Sequence, residues 1–350
     1  MTTHKIIVGN SDSIPQIKSK SINLIITSPP YPMISMWDGM FVDQDPMIDQ
    51  YLKANNGYQA FLAMHSVLNK TWEECDRILT DGGYICINIG DSTRTINGNF
   101  RLYPNHSQII NFFLQKGYDI LPDIHWHKPS NAPNKYMGSG MYPAGAYVTY
   151  EHEYILIFRK IGKRSFSEPE KEIRRKSAYF WEERNVWFSD LWDVKGTAQK
   201  LGSKNEGRER SAAYPLEIPY RLVNMFSIEG DTILDPFAGL GTTNLACMLA
   251  QRNSIGIEIH NHIATLARKT LQASPQKLNT IIEARIAKHL DFIELLPEEK
   301  REKCYRNQNH NFLVKTKQEV DMRLDMIDQI DLDLDRILCT YKSAEFDDTP

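Results

Sequence analysis

The stretch Ile22-Asn23-Leu24-Ile25-Ile26-Thr27-Ser28-Pro29-Pro30-Tyr31 constrains the fold more than any other. Its β-branched and apolar run (Ile22, Leu24, Ile25, Ile26) reads as a strand buried in a parallel sheet. Two prolines end it. Neither can donate to a sheet ladder, and both fix φ, so the chain turns stiffly there. A hydroxyl (Ser28) and an aromatic ring (Tyr31) are thereby held at the carboxyl end of a strand, where open α/β sheets place their ligands. The same turn can also close an ordinary strand, so its chemistry depends on what the rest of the chain brings to it.

The order of the other elements fits such a sheet. Ile6-Ile7-Val8 predicts a short buried strand, followed by the polar cluster Gly9-Asn10-Ser11-Asp12-Ser13. Apolar residues at helical spacing (Phe61, Leu62, His65, Leu68, Trp72, Cys75, Ile78, Leu79) predict a helix over about 58–79, ended by Asp81-Gly82-Gly83. A strand at Tyr84–Gly90, a helix over about 107–116 stopped by Gly117, and strands near 120–126 and 151–158 continue the alternation of a doubly wound sheet. Pro32–Phe41 has no clean period but many large flexible and aromatic groups; as a loop it would cover the Ser28 turn. His125 and His127 alternate on one strand, yet no third ligand follows nearby, so no metal is expected.

Downstream, Thr232-Ile233-Leu234 reads as a strand that runs into Asp235-Pro236-Phe237-Ala238-Gly239-Leu240-Gly241-Thr242-Thr243 and then a helix to about Gln251. Gly239 and Gly241 let the backbone turn tightly against a bound nucleoside. Ser254–Ile259 is a strand carrying Glu258, a carboxylate about 20 residues past the glycine turn and suited to two ribose hydroxyls. The spacing is only G-x-G, without the third glycine of a dinucleotide fingerprint.

At the first turn, Tyr31 can stack on a flat ring while Ser28 and the backbone around Pro29 accept hydrogen bonds from an NH2 group. Ser28-Pro29-Pro30-Tyr31 resembles the catalytic motif of the amino-group DNA methyltransferases in its N4-cytosine variant; adenine enzymes more often carry Asp or Asn at the Ser28 position. Asp235–Thr243 is similar to the S-adenosylmethionine turn of that family, as Trp126-His127-Lys128-Pro129 and Ala212–Pro219 are to further stretches of it. The catalytic strand precedes the cofactor strand, as in the permuted, beta-type motif order, with the target-recognition region between them. These matches cover about 6–271.

The resemblance implies an α/β fold: a Rossmann-like S-adenosylmethionine-dependent methyltransferase sheet with an inserted target-recognition region. It divides the chain into a catalytic half (1–128), the insertion with a core strand near 151–158 (129–210) and a cofactor half (211–275); beyond it the residues themselves suggest a helical extension (276–350). It implies catalysis by Ser28, Pro29, Pro30 and Tyr31, with Asp12, Asp235, Phe237, Ala238, Gly239, Gly241, Thr242 and Glu258 on the cofactor. The activity implied is methylation of N4 of a flipped cytosine in double-stranded DNA, with a cognate restriction endonuclease as companion. Adenine N6 methylation uses the same scaffold. A methyltransferase of RNA or of a small molecule, and a DNA-binding protein without activity, are further alternatives.

Charge and composition narrow this. The 350 residues carry a net charge of only −3, so a DNA-binding face must be local. Residues 159–210 hold 14 Lys and Arg against 9 Asp and Glu. There Arg174, Arg175 and Lys176 form a basic knot, and Lys195, Lys200 and Arg208 interleave with glycines, a pattern suited to phosphates. A solvated variable insertion can share it. None of the five cysteines follows a proline, against carbon-5 cytosine chemistry, and none forms a C-x-x-C pair. No early apolar run has the length of a signal peptide or a membrane span, so a cytoplasmic protein with no membrane partner is expected. Beyond Leu271, Ile327, Ile330, Leu334, Ile337 and Leu338 alternate with aspartates at helical spacing and predict an acidic amphipathic helix, a surface for the protein itself or for another subunit.

Overall fold

The computed structural model describes residues 1–128, 138–195 and 214–344. In chain order, β1 (Thr2–Val8) and β2 (Ile22–Thr27) are followed by α1 (Asp38–Gln44), α2 (Met47–Lys53) and the long α3 (Gly57–Ile78), which leads straight into β3 (Leu79–Ile89). A small hairpin, β4 (Ser92–Ile96) and β5 (Asn99–Tyr103), precedes α4 (Asn105–Gln115), β6 (Asp119–His127) and β7 (His152–Arg159). Next come α5 (Glu168–Lys176), α6 (Trp181–Trp187) and β8 (Leu191–Asp193). They are followed by α7 (Glu217–Phe226), β9 (Thr232–Asp235), α8 (Thr242–Leu249), β10 (Asn253–Glu258) and α9 (Asn261–Leu271). The chain closes with α10 (Pro275–Glu294), α11 (Glu298–Arg301), the short pair β11 (Tyr305–Arg306) and β12 (Leu313–Val314), and then β13 (Asp325–Asp333) and β14 (Arg336–Ser343).

One sheet of ten strands, in the order β13-β14-β1-β10-β9-β2-β3-β7-β6-β8, organises these elements. From β1 through β10, β9 and β2 to β3 the strands are parallel; β7 runs antiparallel between β3 and β6. The apolar run of β2 is continuous because both faces are covered: Leu24 and Ile26 enter one core with α7, α8 and α10, while Ile22 and Ile25 enter the other with α3 and α4. From β9 the chain winds one way to β10, and from β2 the other way to β3. Strand order therefore reverses between β9 and β2, the crevice where such sheets bind ligands. The turn after β2 carries Ser28, and β9 ends in Asp235.

The long helix matches its sequence pattern. Asn56 caps it by accepting from the Gln59 amide, and Phe61, Met64, Leu68, Trp72 and Cys75 are buried at its inner face. It ends three residues before the predicted breaker. Asp81 and Gly82 lie inside β3 as an irregularity, where the ladder to β2 jumps from Ile22↔Leu79 to Leu24↔Tyr84 and Gly82 takes φ +73°.

The acidic helix expected around Ile327–Leu338 does not form. Those residues make β13 and β14, an antiparallel hairpin with Leu334 and Asp335 as its turn; β14 extends the main sheet by pairing with β1. The reason is a bulge between Ile327 and Gln329. One extra residue puts apolar side chains three apart on a strand, and that spacing imitates a helix. An oligomer contact through such a helix has no element to use. The helix of this region is α10 instead, with Ile282 and Ile286 in the core.

Candidate active site

A cavity of about 410 Å³ opens at the carboxyl ends of β2, β9 and β10. Ser28, Pro29 and Pro30 form one wall, Asp235 to Leu240 the floor, and Glu258 the far side. Met36, Trp37 and Met40 line it from the segment expected to be a loop, which folds as a short 3-10 turn at Ser35–Trp37 running into α1.

At the β2 end, the prolines hold Ser28 in the wall while Tyr31 sits behind it. Ser28 Oγ lies 3.2 Å from the Tyr31 hydroxyl, and that hydroxyl donates to Glu153 Oε2 at 2.8 Å. Asn88, at the end of β3, donates Nδ2 to the Tyr31 oxygen at 2.8 Å and to Glu153 Oε2 at 2.7 Å. Lys128 bonds the other oxygen of Glu153 and lies 4.5 Å from the Trp126 ring centre. The Tyr31 ring rests on Gly90: a Cβ there would come within 3.0 Å of it. Burial, then the charge of Glu153, holds the Tyr31 phenol well above its usual value.

At the β9 end, Asp235 crosses the crevice. Thr27, the last residue of β2, donates to its Oδ1 at 2.6 Å, beside the Phe237 amide at 3.0 Å. Thr243 donates to Oδ2 at 2.6 Å, with the Tyr214 hydroxyl at 3.4 Å. Burial outweighs these donors and raises the carboxyl above its ordinary range. Gly239 (φ +52°) and Gly241 (φ +78°) make the turn. Gly241 serves the turn as the residue before α8, outside the lining, whereas Phe237, Ala238, Gly239 and Thr242 face the cavity. A Cβ added at Gly9 or Gly239 would meet no atom within 4 Å, so both open into the cradle. Glu258 is gripped by the Gly239 amide at 3.1 Å and the His260 amide at 2.9 Å. Polar hydroxyl acceptors, apolar walls and open glycines together fit a nucleoside-bearing sulfonium cofactor.

Other predicted residues stand elsewhere. Gly9, Asn10 and Ser11 line the cavity, but Asp12 does not. Arg174, Arg175 and Lys176 close α5 at the opposite end of the sheet. Because β7 is antiparallel, the chain leaves it beside the amino ends of its parallel neighbours: Lys160 exchanges backbone bonds with Gly82 and Gly83, and Arg164 pairs with Asp231, just before β9. Lys195 is exposed after β8, whose Asp193 pairs with His127 near Lys128, and so stands on the cavity side. Lys200 and Arg208 lie outside the described residues. Sequence reasoning missed Asn88, Lys128 and Glu153 as site residues. The available signal was a carboxylate in the strand His152–Arg159, otherwise apolar from Ile155 to Phe158.

A family model described as DNA methylase, for N6 and N4 enzymes, matches residues 22–269. The type II methyltransferase M.MthZI of Methanothermobacter thermautotrophicus is 50% identical over 326 residues, 92% of this chain and 90% of the relative. M.MjaI of Methanocaldococcus jannaschii, also a type II methyltransferase, is 45% identical over 288 residues, 79% of this chain and 94% of the relative. The crystal structure of a DNA modification methylase of Thermus thermophilus complexed with S-adenosyl-L-methionine aligns with a TM-score of 0.57 at 32% identity, over 76% of this chain and 94% of that one.

Proposed function

The chain belongs to the N6/N4 family of DNA methylases, and on that premise we propose that it methylates the exocyclic N4 amine of cytosine in duplex DNA. The observation that carries the choice of cytosine is Ser28, a hydroxyl where adenine enzymes of this resemblance more often place a carboxylate or amide. S-adenosyl-L-methionine supplies the electrophilic methyl group. Glu258 would take its ribose hydroxyls, while Phe237, Gly239 and Thr242 shape the cradle.

The amine of a paired cytosine is turned into the helix, so the base must leave the stack to reach a strand-end cavity. Tyr31, expected to stack on the base, stands behind Ser28 and outside the cavity lining, and so bears on the base through the Ser28 hydroxyl. Ser28 Oγ and the Pro29 carbonyl accept from the amine and aim its lone pair, and this orientation supplies much of the acceleration. No covalent bond to the enzyme is needed, and Cys75, Cys86, Cys247 and Cys339 are all buried. Lys195, on the cavity side, suits a phosphate of the flanking duplex. The type II relatives support a place beside a cognate restriction endonuclease. Incubation with plasmid DNA and cofactor, then nucleoside hydrolysis and mass spectrometry, should give N4-methylcytosine. N6-methyladenine as the product would refute the choice of base.

A further inference from the structure

We propose that Glu153 takes up the proton that the target amine sheds during methyl transfer, receiving it through Ser28 and Tyr31. This rests on the amine-methylation reading above and adds a route that the reading leaves open. As nitrogen's lone pair forms the new N–C bond, the C–S bond breaks with its electrons kept by sulfur. The nitrogen then carries a positive charge until one N–H bond breaks. The Pro29 carbonyl is a poor base, and Ser28 can accept a proton only by passing on its own.

The hydrogen bonds around Ser28 run in one direction. An ionised carboxylate can only accept, so the Tyr31 hydroxyl donates to Glu153 Oε2, 2.8 Å away. The Asn88 amide is fixed with Nδ2 toward the same oxygen, at 2.7 Å, leaving Asn88 Oδ1 buried and unpartnered. With its proton committed to Glu153, the Tyr31 oxygen accepts, and the Ser28 hydroxyl, 3.2 Å away, is placed to donate to it. Ser28 Oγ also accepts from Asn88 Nδ2 at 3.4 Å, which leaves its second lone pair for an amine in the cavity it lines. One concerted shift balances: amine N–H to Ser28, Ser28 O–H to Tyr31, Tyr31 O–H to Glu153. Tyr31 does not keep the charge as a phenolate, because burial beside Glu153 opposes its ionisation.

The groups facing Glu153 serve this role. Lys128 pairs with its second oxygen and balances its charge before transfer; Trp126 lies opposite it on β6, and Tyr214 and Asp235 stand behind Tyr31. Glu153 acts through Tyr31 and is a positioning and proton-storing residue, with only 14% of its side chain exposed for the proton to return to water.

The test is single-turnover methylation of plasmid DNA by cofactor-loaded enzyme in H2O and in D2O, for wild type, Glu153→Gln, Tyr31→Phe and the double variant. Both single variants keep the shape of the site and should lose about 10²-fold or more in rate. The double variant should be no slower than either, since all interrupt one relay. Wild type should slow in D2O, because three protons move with the methyl transfer, and Glu153→Gln should not. Unchanged cofactor affinity by calorimetry confirms that the variants fold. A Glu153→Gln enzyme with wild-type rate and solvent isotope effect overturns the proposal, as do losses that multiply in the double variant. The methylated base, read separately by mass spectrometry on wild type, tests the cytosine reading; the rates test the relay.

Discussion

Two carboxylates face the same cavity and are committed differently. Each oxygen of Asp235 has two donors within the protein, so this group ties β2 to β9 and has little left for a ligand. Glu258 accepts only two backbone amides and keeps lone pairs free. Glu258→Ala should therefore weaken S-adenosylmethionine binding by about 1.5–3 kcal/mol, the range for a charged hydrogen bond. Burial raises the Glu258 carboxyl above its ordinary value, so it is neutralised at a higher pH than an exposed glutamate. Cofactor affinity should then decline as pH falls through that raised value, starting above the ordinary value of about 4.3, and Glu258→Gln should remove that decline. Calorimetry across pH checks both, and equal slopes in the two proteins would defeat the assignment. The places of Ser28, Asp235 and Glu258 were legible because each stands in a short stretch whose turn and strand end define it, although Asp235, expected on the cofactor, spends its oxygens on Thr27, Phe237, Thr243 and Tyr214. Glu153 was not: it meets Tyr31 across 122 positions, and only the antiparallel entry of β7 brings them together.

At the scale of elements, α3 was legible and the terminal hairpin was not, for one physical reason. A long helix repeats its pattern over many turns, with buried residues from Ala60 to Ile78, so an irregularity cannot disguise it. A strand of nine residues with a bulge offers too few repeats, and the bulge converts period two into a spacing of three. The parallel strands were readable from their unbroken apolar runs, whereas the edge strand β13 mixes apolar residues with exposed charge and β8 is only three residues long, and neither gave such a signal. The hairpin and the helix make opposite predictions at Leu334. Its φ of +55°, at an exposed turn, is a conformation that a leucine adopts at a cost. Leu334→Gly should stabilise the protein by about 0.5–1 kcal/mol in the hairpin, whereas in a helix interior it would cost about 1 kcal/mol. Urea denaturation gives the sign, and a loss of stability would count against the turn.

The whole molecule has two ends, and its charge is divided between them in a way the sequence conceals. Read linearly, residues 159–210 form one basic segment; in the fold its described part, 159–195, descends to the amino ends of the parallel strands and climbs back to the cavity side through α6 and β8. At the lower end the basic knot is largely answered from within. Arg175 pairs with Asp321 at 3.3 Å, Lys176 with Glu172 at 2.7 Å, and Arg174 lies 4.8 Å from the Phe166 ring. Such exposed pairs add little stability, but they cancel the local field that would draw a phosphate backbone. A duplex that delivers a base to the cavity must lie across the other end, where Lys195 is exposed. Each phosphate contact releases counterions, so removing one should lower the slope of log affinity against log salt by about one unit. Replacing Arg174, Arg175 and Lys176 together by alanine should leave that slope unchanged, while Lys195→Ala alone should lower it by about one. DNA affinity measured across a salt series for the three proteins decides between the ends. A flattened slope in the triple variant, with Lys195→Ala behaving as wild type, would place the duplex on the lower end and detach recognition from the cavity proposed for the cofactor.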